Sequence, residues 1–98
     1  MIPSVSIHEF AELELNEAAK YYESKVNSLG FAFLSEVERV IEEIETNPES
    51  APRLPKAVRR KLLRGFPYSI MYTIVDDSIR ILAMANQKRR PFYWRNRQ

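Results

Sequence analysis

Residues 58–85 read VRRKLLRGFPYSIMYTIVDDSIRILAMA, and this stretch decides the fold. Its β-branched and apolar residues form three short runs, at residues 58–63, 70–75 and 79–85. Runs of this length and composition are typical of β-strands. Turn-forming residues at 65–67 and 76–78 separate the runs, and such short separations favour antiparallel hairpins. The stretch therefore predicts three antiparallel strands.

The residues before this stretch have a helical period instead. Apolar residues recur at spacings of three and four along a first helix that begins near Glu9: Ala11, Leu15, Ala18, Tyr22 and Val26. After a break at residues 28–30, a second helix repeats the pattern until Pro48, because proline cannot continue a helix. Its apolar residues are Phe33, Leu34, Val37, Ile41 and Ile44. The two patterns predict an αα-hairpin.

A short strand precedes the first helix, because Val5 and Ile7 alternate with serines. We expect an α+β fold in which this N-terminal strand leads into an αα-hairpin packed on a small antiparallel β-sheet, followed by a basic aromatic C-terminal tail. Residues 48–57 contain three prolines and form the one candidate linker. A chain of 98 residues supports a single domain over residues 1–98.

The composition excludes several classes of function. With no cysteine and one histidine, the chain has no disulfide framework, no thiol nucleophile and no paired-histidine metal site. We therefore expect neither a metal nor a cofactor. The sequence has no run of about 18 apolar residues, so we expect a soluble cytoplasmic protein with no membrane contact.

The charges are sorted between the two halves of the chain. Residues 1–50 hold eleven of the thirteen acidic residues and three basic residues, whereas residues 51–98 hold twelve of the fifteen basic residues and two acidic residues. The net charge of +2 thus conceals a half near −8 and a half near +10. Such asymmetry suggests that the second half contacts a polyanion or an acidic partner. Basic residues that cover exposed sheet edges would give the same composition.

The basic residues of the second half form two clusters. The first cluster is Arg53, Lys56, Arg59, Arg60, Lys61 and Arg64, and the second is Lys88, Arg89, Arg90, Arg95 and Arg97. Because side chains alternate along a strand, Arg60 and Arg64 would share one face of the sheet. Arg59 and Lys61 would share the other face. The outer face of the sheet is therefore expected to be cationic.

The tail combines basic residues with three consecutive rings, Phe92, Tyr93 and Trp94. We expect the tail to place Arg89 and Arg90 beside the first basic cluster, which would form one concave basic site. The rings could stack on nucleic-acid bases. Alternatively, Phe92 and Trp94 could hold the chain end against the helices while Tyr93 stays free. The residues predicted to bind the target or a nucleic acid are Arg59, Lys61, Lys88, Arg90, Trp94 and Arg95.

Four fragments give the chain a family resemblance: AAKYYE at residues 18–23, LGF at 29–31, FPYSIMY at 66–72 and RRPFYW at 89–94. In this order and spacing they resemble the RelE/ParE superfamily of bacterial toxins, particularly its plasmid stabilisation proteins. The resemblance covers essentially the whole chain. It implies the toxin of a type II toxin–antitoxin pair, held inactive by a protein antitoxin with an acidic or amphipathic segment. It also implies an antitoxin contact between the helix hairpin and the sheet, at Leu15 and Tyr22.

The superfamily has two kinds of target. RelE-like members cleave messenger RNA on the ribosome, and ParE-like members inhibit DNA gyrase without being nucleases. RNA cleavage needs a base, an acid and cations around the phosphate. If this chain is a ribonuclease, the resemblance makes Arg60, Arg64, Arg89 and Tyr93 its candidate catalytic residues. His8 is predicted to begin the first helix rather than to act as a base.

This sequence matches the nuclease pattern only in part. Arg60 and Arg89 fall on basic positions of the RelE-like members, but Leu62 and Ser69 stand where those members carry a lysine and an arginine. The position of their late tyrosine falls on Arg95. We therefore favour a ParE-like gyrase inhibitor that arrests bacterial growth, with a RelE-like ribosome-dependent endoribonuclease as the alternative. A non-catalytic nucleic-acid-binding protein or a degenerate member is the third possibility.

Overall fold

The computed structural model describes residues 4–98. Two helices pack on a five-stranded sheet, which confirms the expected α+β fold. In chain order the elements are β1 (Val5–Ile7), α1 (Glu9–Lys25), α2 (Leu29–Thr46), β2 (Arg53–Leu54), β3 (Val58–Leu62), β4 (Tyr68–Val75) and β5 (Ser78–Asn86). The three strands predicted within residues 58–85 are all present, with ends that differ by at most two residues from those predicted. Within the described residues, neither helix is apolar over the length that a bilayer span requires.

The sheet is mixed rather than purely antiparallel, which corrects one expectation. Its strand order is β1-β5-β4-β3-β2, and β2, β3, β4 and β5 are antiparallel to one another in turn. β1 pairs in parallel with β5, where Val5 lies opposite Ile79 and Ile7 lies opposite Ile81. Both helices lie between β1 and the other strands in the sequence, and a connection of this length permits parallel pairing.

The predicted linker contains a further strand. Within residues 48–57, β2 pairs with β3 so that Arg53 lies opposite Arg59. Pro52 and Pro55 flank this short strand. Proline is tolerated in an edge strand, because the N–H that it lacks would face solvent and would not pair with a neighbouring strand. The prolines therefore mark an edge strand and not only a connection.

The main core lies between the helices and the sheet. Phe33, Val37 and Ile44 of α2 are buried, as the helical period predicts. Ile70 of β4 and Ile81 of β5 belong to the same cluster. Burial of a large apolar side chain contributes roughly 1.5–3 kcal/mol, so this contact is what holds the hairpin on the sheet.

The outer face of the sheet, opposite the helices, carries a second apolar cluster. Trp94 of the tail is 3% exposed and packs there against residues of three strands. These residues are Val58, Met71, Leu82, Ala83 and Ala85. A register shift between β4 and β5 leaves Leu82 without a partner on β4, and such a bulge lets two successive residues face the same side. The centre of the outer face is therefore apolar and covered by the tail, which corrects the expectation of a cationic outer face.

Local hydrogen bonds set the helix ends. Nδ1 of His8 accepts a hydrogen bond from the backbone N–H of Phe10 at 3.0 Å, which confirms that His8 begins α1. Between the helices, the carboxylate of Glu23 accepts hydrogen bonds from the N–H groups of Ser28 and Gly30, each at 3.0 Å. These bonds satisfy backbone donors that the start of α2 would otherwise leave without a partner.

Candidate functional site

A pocket of about 470 Å³ opens on the outer face of the sheet beside the tail. Arg60 lines it from β3, and Arg89 and Arg90 line it from the start of the tail. We call it the arginine pocket; its further lining includes Leu62, Ser69, Met71, Asn86, Gln87 and Phe92. Arg60, Arg89 and Arg90 thus line one pocket, as expected from the sequence. The guanidinium of Arg89 also lies over the ring of Tyr93 and 3.9 Å from Oε2 of Glu14.

The arginine pocket is cationic and partly apolar. The described residues that line it include neither a carboxylate nor an imidazole. Leu62 and Phe92 are 53% and 40% exposed and give the pocket an accessible apolar surface. Guanidinium groups bind carboxylates and phosphates through charge-assisted hydrogen bonds. The pocket is therefore suited to an anionic partner that also presents rings or aliphatic groups.

Tyr93 lines the arginine pocket, but its hydroxyl is engaged outside it. The hydroxyl donates a hydrogen bond to Oε2 of Glu14 on α1 at 2.8 Å. Burial, together with the carboxylate of Glu14, raises the pKa of Tyr93 above its ordinary value. A phenol with a raised pKa is a weaker acid, and its phenolate base forms less readily. The position of Tyr93 therefore argues against the catalytic role predicted for it.

Arg59 and Lys61 alternate with Arg60 along β3 and make contacts within the protein. The guanidinium of Arg59 donates hydrogen bonds to the backbone oxygens of Glu49 and Ala51, at 2.9 Å and 2.7 Å. Nζ of Lys61 lies 3.2 Å from Oε2 of Glu43 on α2. Neither Arg59 nor Lys61 lines the arginine pocket. Their positions connect β3 to α2 and to the following loop, and do not support the predicted target contact.

Three other predicted residues lie apart from the arginine pocket. Arg64 does not share a face with Arg60, because β3 ends two residues earlier; its backbone N–H donates a hydrogen bond to Glu36 at 2.6 Å. Lys88 is exposed and lines a groove between α1 and the sheet. Arg95 is exposed and lines a second groove on the outer face. The predicted residues are thus spread over several surfaces.

Trp94 exposes little surface on which a nucleic-acid base could stack, so the structure does not support the role predicted for it. Only 3% of the residue is exposed, because the indole is packed in the outer cluster. Its ring contacts Phe92 edge to face, with centroids 5.8 Å apart. Trp94 therefore holds the tail against the sheet. The alternative expectation, that Trp94 packs against the helices, is wrong.

Glu14 holds the tail in place and was not among the residues predicted to form the site. Its carboxylate accepts hydrogen bonds from the N–H of Met84 at 3.1 Å, from the hydroxyl of Tyr93 at 2.8 Å, and from Arg97 at 2.8 Å and 3.1 Å. One signal was available, because Glu14 lies four residues before the buried Ala18 and so falls on the apolar face of α1. An acid on a buried helix face needs a cationic partner.

Leu15 and Tyr22 contribute to the core of the hairpin. Both are partly buried and pack against the main core. The ring of Tyr22 meets those of Phe33 and Phe66 at centroid distances of 5.3 Å and 4.9 Å. Tyr22 also lines the groove between α1 and the sheet, which we call the hairpin groove; its charged residues are Glu14, Glu17, Lys88 and Arg89. An antitoxin contact at Leu15 and Tyr22 stays a prediction.

The chain matches a known protein family over most of its length. A family model described as the ParE toxin of type II toxin-antitoxin system, parDE, matches residues 5–91. The chain belongs to this family. Its fold is similar to that of a chain in the solved structure of the chromosomal ParDE toxin–antitoxin system from P. aeruginosa, with a TM-score of 0.64 and 20% identity. The similarity covers 87% of this ParE-family toxin and 96% of the other chain.

Among curated proteins, none matches this ParE-family toxin significantly. Family membership nevertheless makes the chain the toxin of a type II toxin–antitoxin system, and it makes a protein antitoxin its partner. It also favours the ParE-like interpretation over the RelE-like one.

Proposed function

We propose that this toxin inhibits DNA gyrase by docking the arginine pocket on the enzyme, without catalysing a reaction itself. The arginine pocket carries the proposal, because Arg60 and Arg90 line it with no carboxylate or imidazole among the described lining residues. Arg89 lines it as well, although its guanidinium also lies 3.9 Å from Oε2 of Glu14. Arginines bind an anionic surface, but they stay protonated and so supply no proton acceptor. The pocket has the chemistry of a docking surface.

RNA cleavage would need further groups at the arginine pocket. Attack by a 2′-hydroxyl requires a base, an acid at the leaving oxygen, and cations for the charge that develops on phosphorus. Leu62 and Ser69, at the two positions where RelE-like members carry cations, both line this pocket. The hydroxyl of Tyr93 is held by Glu14. These observations support docking over cleavage.

The partner and the location follow from the same proposal. A protein antitoxin neutralises the toxin, and the basic second half of the chain favours an acidic or amphipathic binding segment. A toxin directed at gyrase acts in the cytoplasm, which is the location expected from the sequence.

The two candidate targets can be separated by testing one toxin preparation for two activities. DNA supercoiling by gyrase and ribosome-dependent cleavage of messenger RNA are measured side by side, and we expect supercoiling to be lost while the RNA stays intact. Cleaved RNA with normal supercoiling would contradict the proposal and select the RelE-like alternative.

A pair of variants connects the inhibition to the arginine pocket. Arg90→Gln is expected to weaken gyrase inhibition roughly tenfold, because an exposed arginine at an interface can contribute more than 1 kcal/mol to binding. Arg53→Gln is the matched control, because Arg53 is an exposed arginine on β2 that lies outside the pocket. Equal inhibition by both variants would remove the arginine pocket from the proposal.

A further inference from the structure

A second groove lies on the outer face, beyond Trp94 as seen from the arginine pocket. Its volume is about 680 Å³, and we call it the tail groove. The residues that characterise it are Lys56, Val58, Val75, Arg80, Leu82 and Arg95. Trp94 is the one described residue that lines both the tail groove and the arginine pocket. The two sites therefore have separate sets of charged residues.

The floor of the tail groove is apolar. Val58, Leu82 and Trp94 belong to the outer cluster and form part of its lining. Val75, at the end of β4, is 52% exposed and extends this apolar surface. An accessible apolar groove on a sheet favours a partner that presents an apolar face.

The charged residues of the tail groove are all cations. Lys56 and Arg95 are exposed. Arg80 is partly buried, and its Nε donates a hydrogen bond to the backbone oxygen of Gln98 at 3.1 Å. Arg97 also lines the groove, but its guanidinium is paired with Glu14 at 2.8 Å. The described lining residues include no aspartate and no glutamate. The rim of the groove therefore attracts acidic side chains and repels basic ones.

The hairpin groove lacks this selectivity. Glu14 and Glu17 line it together with Lys88 and Arg89, so charges of both signs meet an approaching segment. Charge complementarity to an acidic partner is therefore greater at the tail groove than at the hairpin groove.

We propose that the tail groove binds an acidic amphipathic segment of the antitoxin, at a site separate from the arginine pocket. The proposal rests on the toxin function proposed above. Apolar side chains of the segment pack on the floor beside Trp94, and acidic side chains pair with Lys56 and Arg95. An amphipathic helix carries these two kinds of side chain on opposite faces. Neutralisation and toxicity then depend on different cations of the same toxin.

Fluorescence measures occupancy of the tail groove, because Trp94 is the only tryptophan in the chain. The probe is a synthetic amphipathic helix of about 18 residues, with leucines on one face and glutamates on the other. Its control carries lysines in place of the glutamates. We expect the glutamate peptide to change Trp94 emission saturably and the lysine peptide not to do so. No saturable change with the glutamate peptide would overturn the proposal.

Charge reversal distinguishes the two sites that Trp94 lines. The double variant Lys56→Glu, Arg95→Glu is expected to weaken peptide binding about tenfold or more. Its matched control in the arginine pocket is Arg60→Glu, Arg90→Glu, which is expected to change the affinity less than about twofold at physiological salt, where charges beyond the contact are screened. Equal losses in the two double variants would show that the sites are not separate. Circular dichroism checks that both variants fold.

A nucleic acid is the competing occupant of a cationic groove. We expect a single-stranded oligonucleotide to leave the peptide bound to the tail groove, because the groove has an apolar floor that a phosphate backbone does not use. The proposal would be overturned if the oligonucleotide displaced the peptide and if the Lys56→Glu, Arg95→Glu variant lost affinity for the oligonucleotide as it does for the peptide. The groove would then be a site for polyanions.

Growth assays separate failure of this proposal from failure of the proposed function. The Lys56→Glu, Arg95→Glu toxin is expected to arrest growth like the wild type, but to escape rescue by the protein encoded beside the toxin gene. Normal rescue of that variant would overturn the proposal. If the wild-type chain does not arrest growth, the toxin function fails, and the fluorescence titration still decides whether the tail groove selects an acidic amphipathic segment.

Discussion

Glu14 on α1 and Arg97 near the end of the tail form an ion pair whose closest atoms lie 2.8 Å apart. Each side chain is 13% exposed. The same carboxylate accepts hydrogen bonds from the N–H of Met84 on β5 and from the hydroxyl of Tyr93. One acidic side chain thus joins a helix, a strand and the tail. The position of the tail, which forms one wall of both outer-face sites, depends on this contact.

Glu14→Gln is expected to destabilise the protein by about 1–3 kcal/mol, because it leaves the guanidinium of Arg97 partly buried without its counter-charge. Urea denaturation measures the loss in the free energy of unfolding. The matched control is Glu17→Gln, an exposed carboxylate on the same helix, which is expected to stay within about 0.5 kcal/mol of the wild type. Similar losses in both variants would show that the Glu14 contacts do not stabilise the fold.

Tyr93→Phe is expected to retain growth arrest, since the structure assigns the hydroxyl to Glu14 and not to chemistry. Removal of this hydrogen bond should cost about 1 kcal/mol of stability. Growth after induction and the free energy of unfolding are measured on the same variant. If a folded Tyr93→Phe toxin no longer arrested growth, toxicity would need the phenol hydroxyl. That result would favour RNA cleavage by the RelE-like alternative.

The sequence predicted the elements better than their arrangement, because periodicity is local and pairing is not. The helical and strand periods lie within single segments, so both helices and β3 to β5 were found within a few residues. The parallel pairing of β1 with β5 depends on residues more than 70 positions apart. The outer cluster depends on Leu82 at the β5 bulge and on Trp94 folding back onto the sheet, and neither event has a periodic signal.

Only part of the site was predicted, because contacts between distant segments are not visible in the sequence. The sequence predicted the proximity of Arg60, Arg89 and Arg90, because β3 and β5 flank β4 through short connections. The ion pair of Lys61 with Glu43 could not be foreseen, because it requires knowing which face of β3 meets α2. Basic side chains that were equivalent in sequence are thus divided between the core side and the outer side of the sheet.

The stabilising contribution of Glu36 is expected to be lost in acid, so that the protein becomes less stable at low pH. Hydrogen bonds from the guanidinium of Arg39, at 2.7 Å each, lower the pKa of Glu36 to about 2, and the backbone N–H of Arg64 adds to this effect. A carboxyl group whose pKa is lowered in the folded state stabilises the protein at pH values above its pKa in the unfolded state, which is near 4.5. That contribution is lost as the pH falls from about 4.5 to about 2.

Unfolding free energies measured between pH 6 and pH 2 check this expectation. Glu36→Gln should flatten the acid limb of the stability curve by about 1 kcal/mol, a value reduced because Arg39 is 33% exposed and solvent screens the pair. Glu38→Gln, an exposed carboxylate on the same helix, is the control. An unchanged acid limb in Glu36→Gln would show that this carboxylate does not contribute to the pH dependence.

Gly30 is expected to tolerate no larger side chain, because its backbone lies in close contact with α1. A Cβ atom at this position would lie 2.6 Å from the backbone oxygen of Ala19 and 2.9 Å from Cβ of Glu23. Backbone cannot move aside cheaply, so Gly30→Ala should force the helices apart and destabilise the protein by about 1–3 kcal/mol. The hydrogen bond from the N–H of Gly30 to Glu23 would be disturbed by the same shift.

Gly65→Ala is the matched control for Gly30→Ala, because it adds the same methyl group in open space. A Cβ atom at Gly65 meets no atom within 4 Å, but the residue has φ +80°, so alanine there should cost about 1 kcal/mol from the left-handed backbone alone. Urea denaturation of the two variants separates steric overlap from backbone strain. If Gly30→Ala costs no more than Gly65→Ala, the helices do not meet as closely as the structure shows, and the packing of the hairpin would have to be revised.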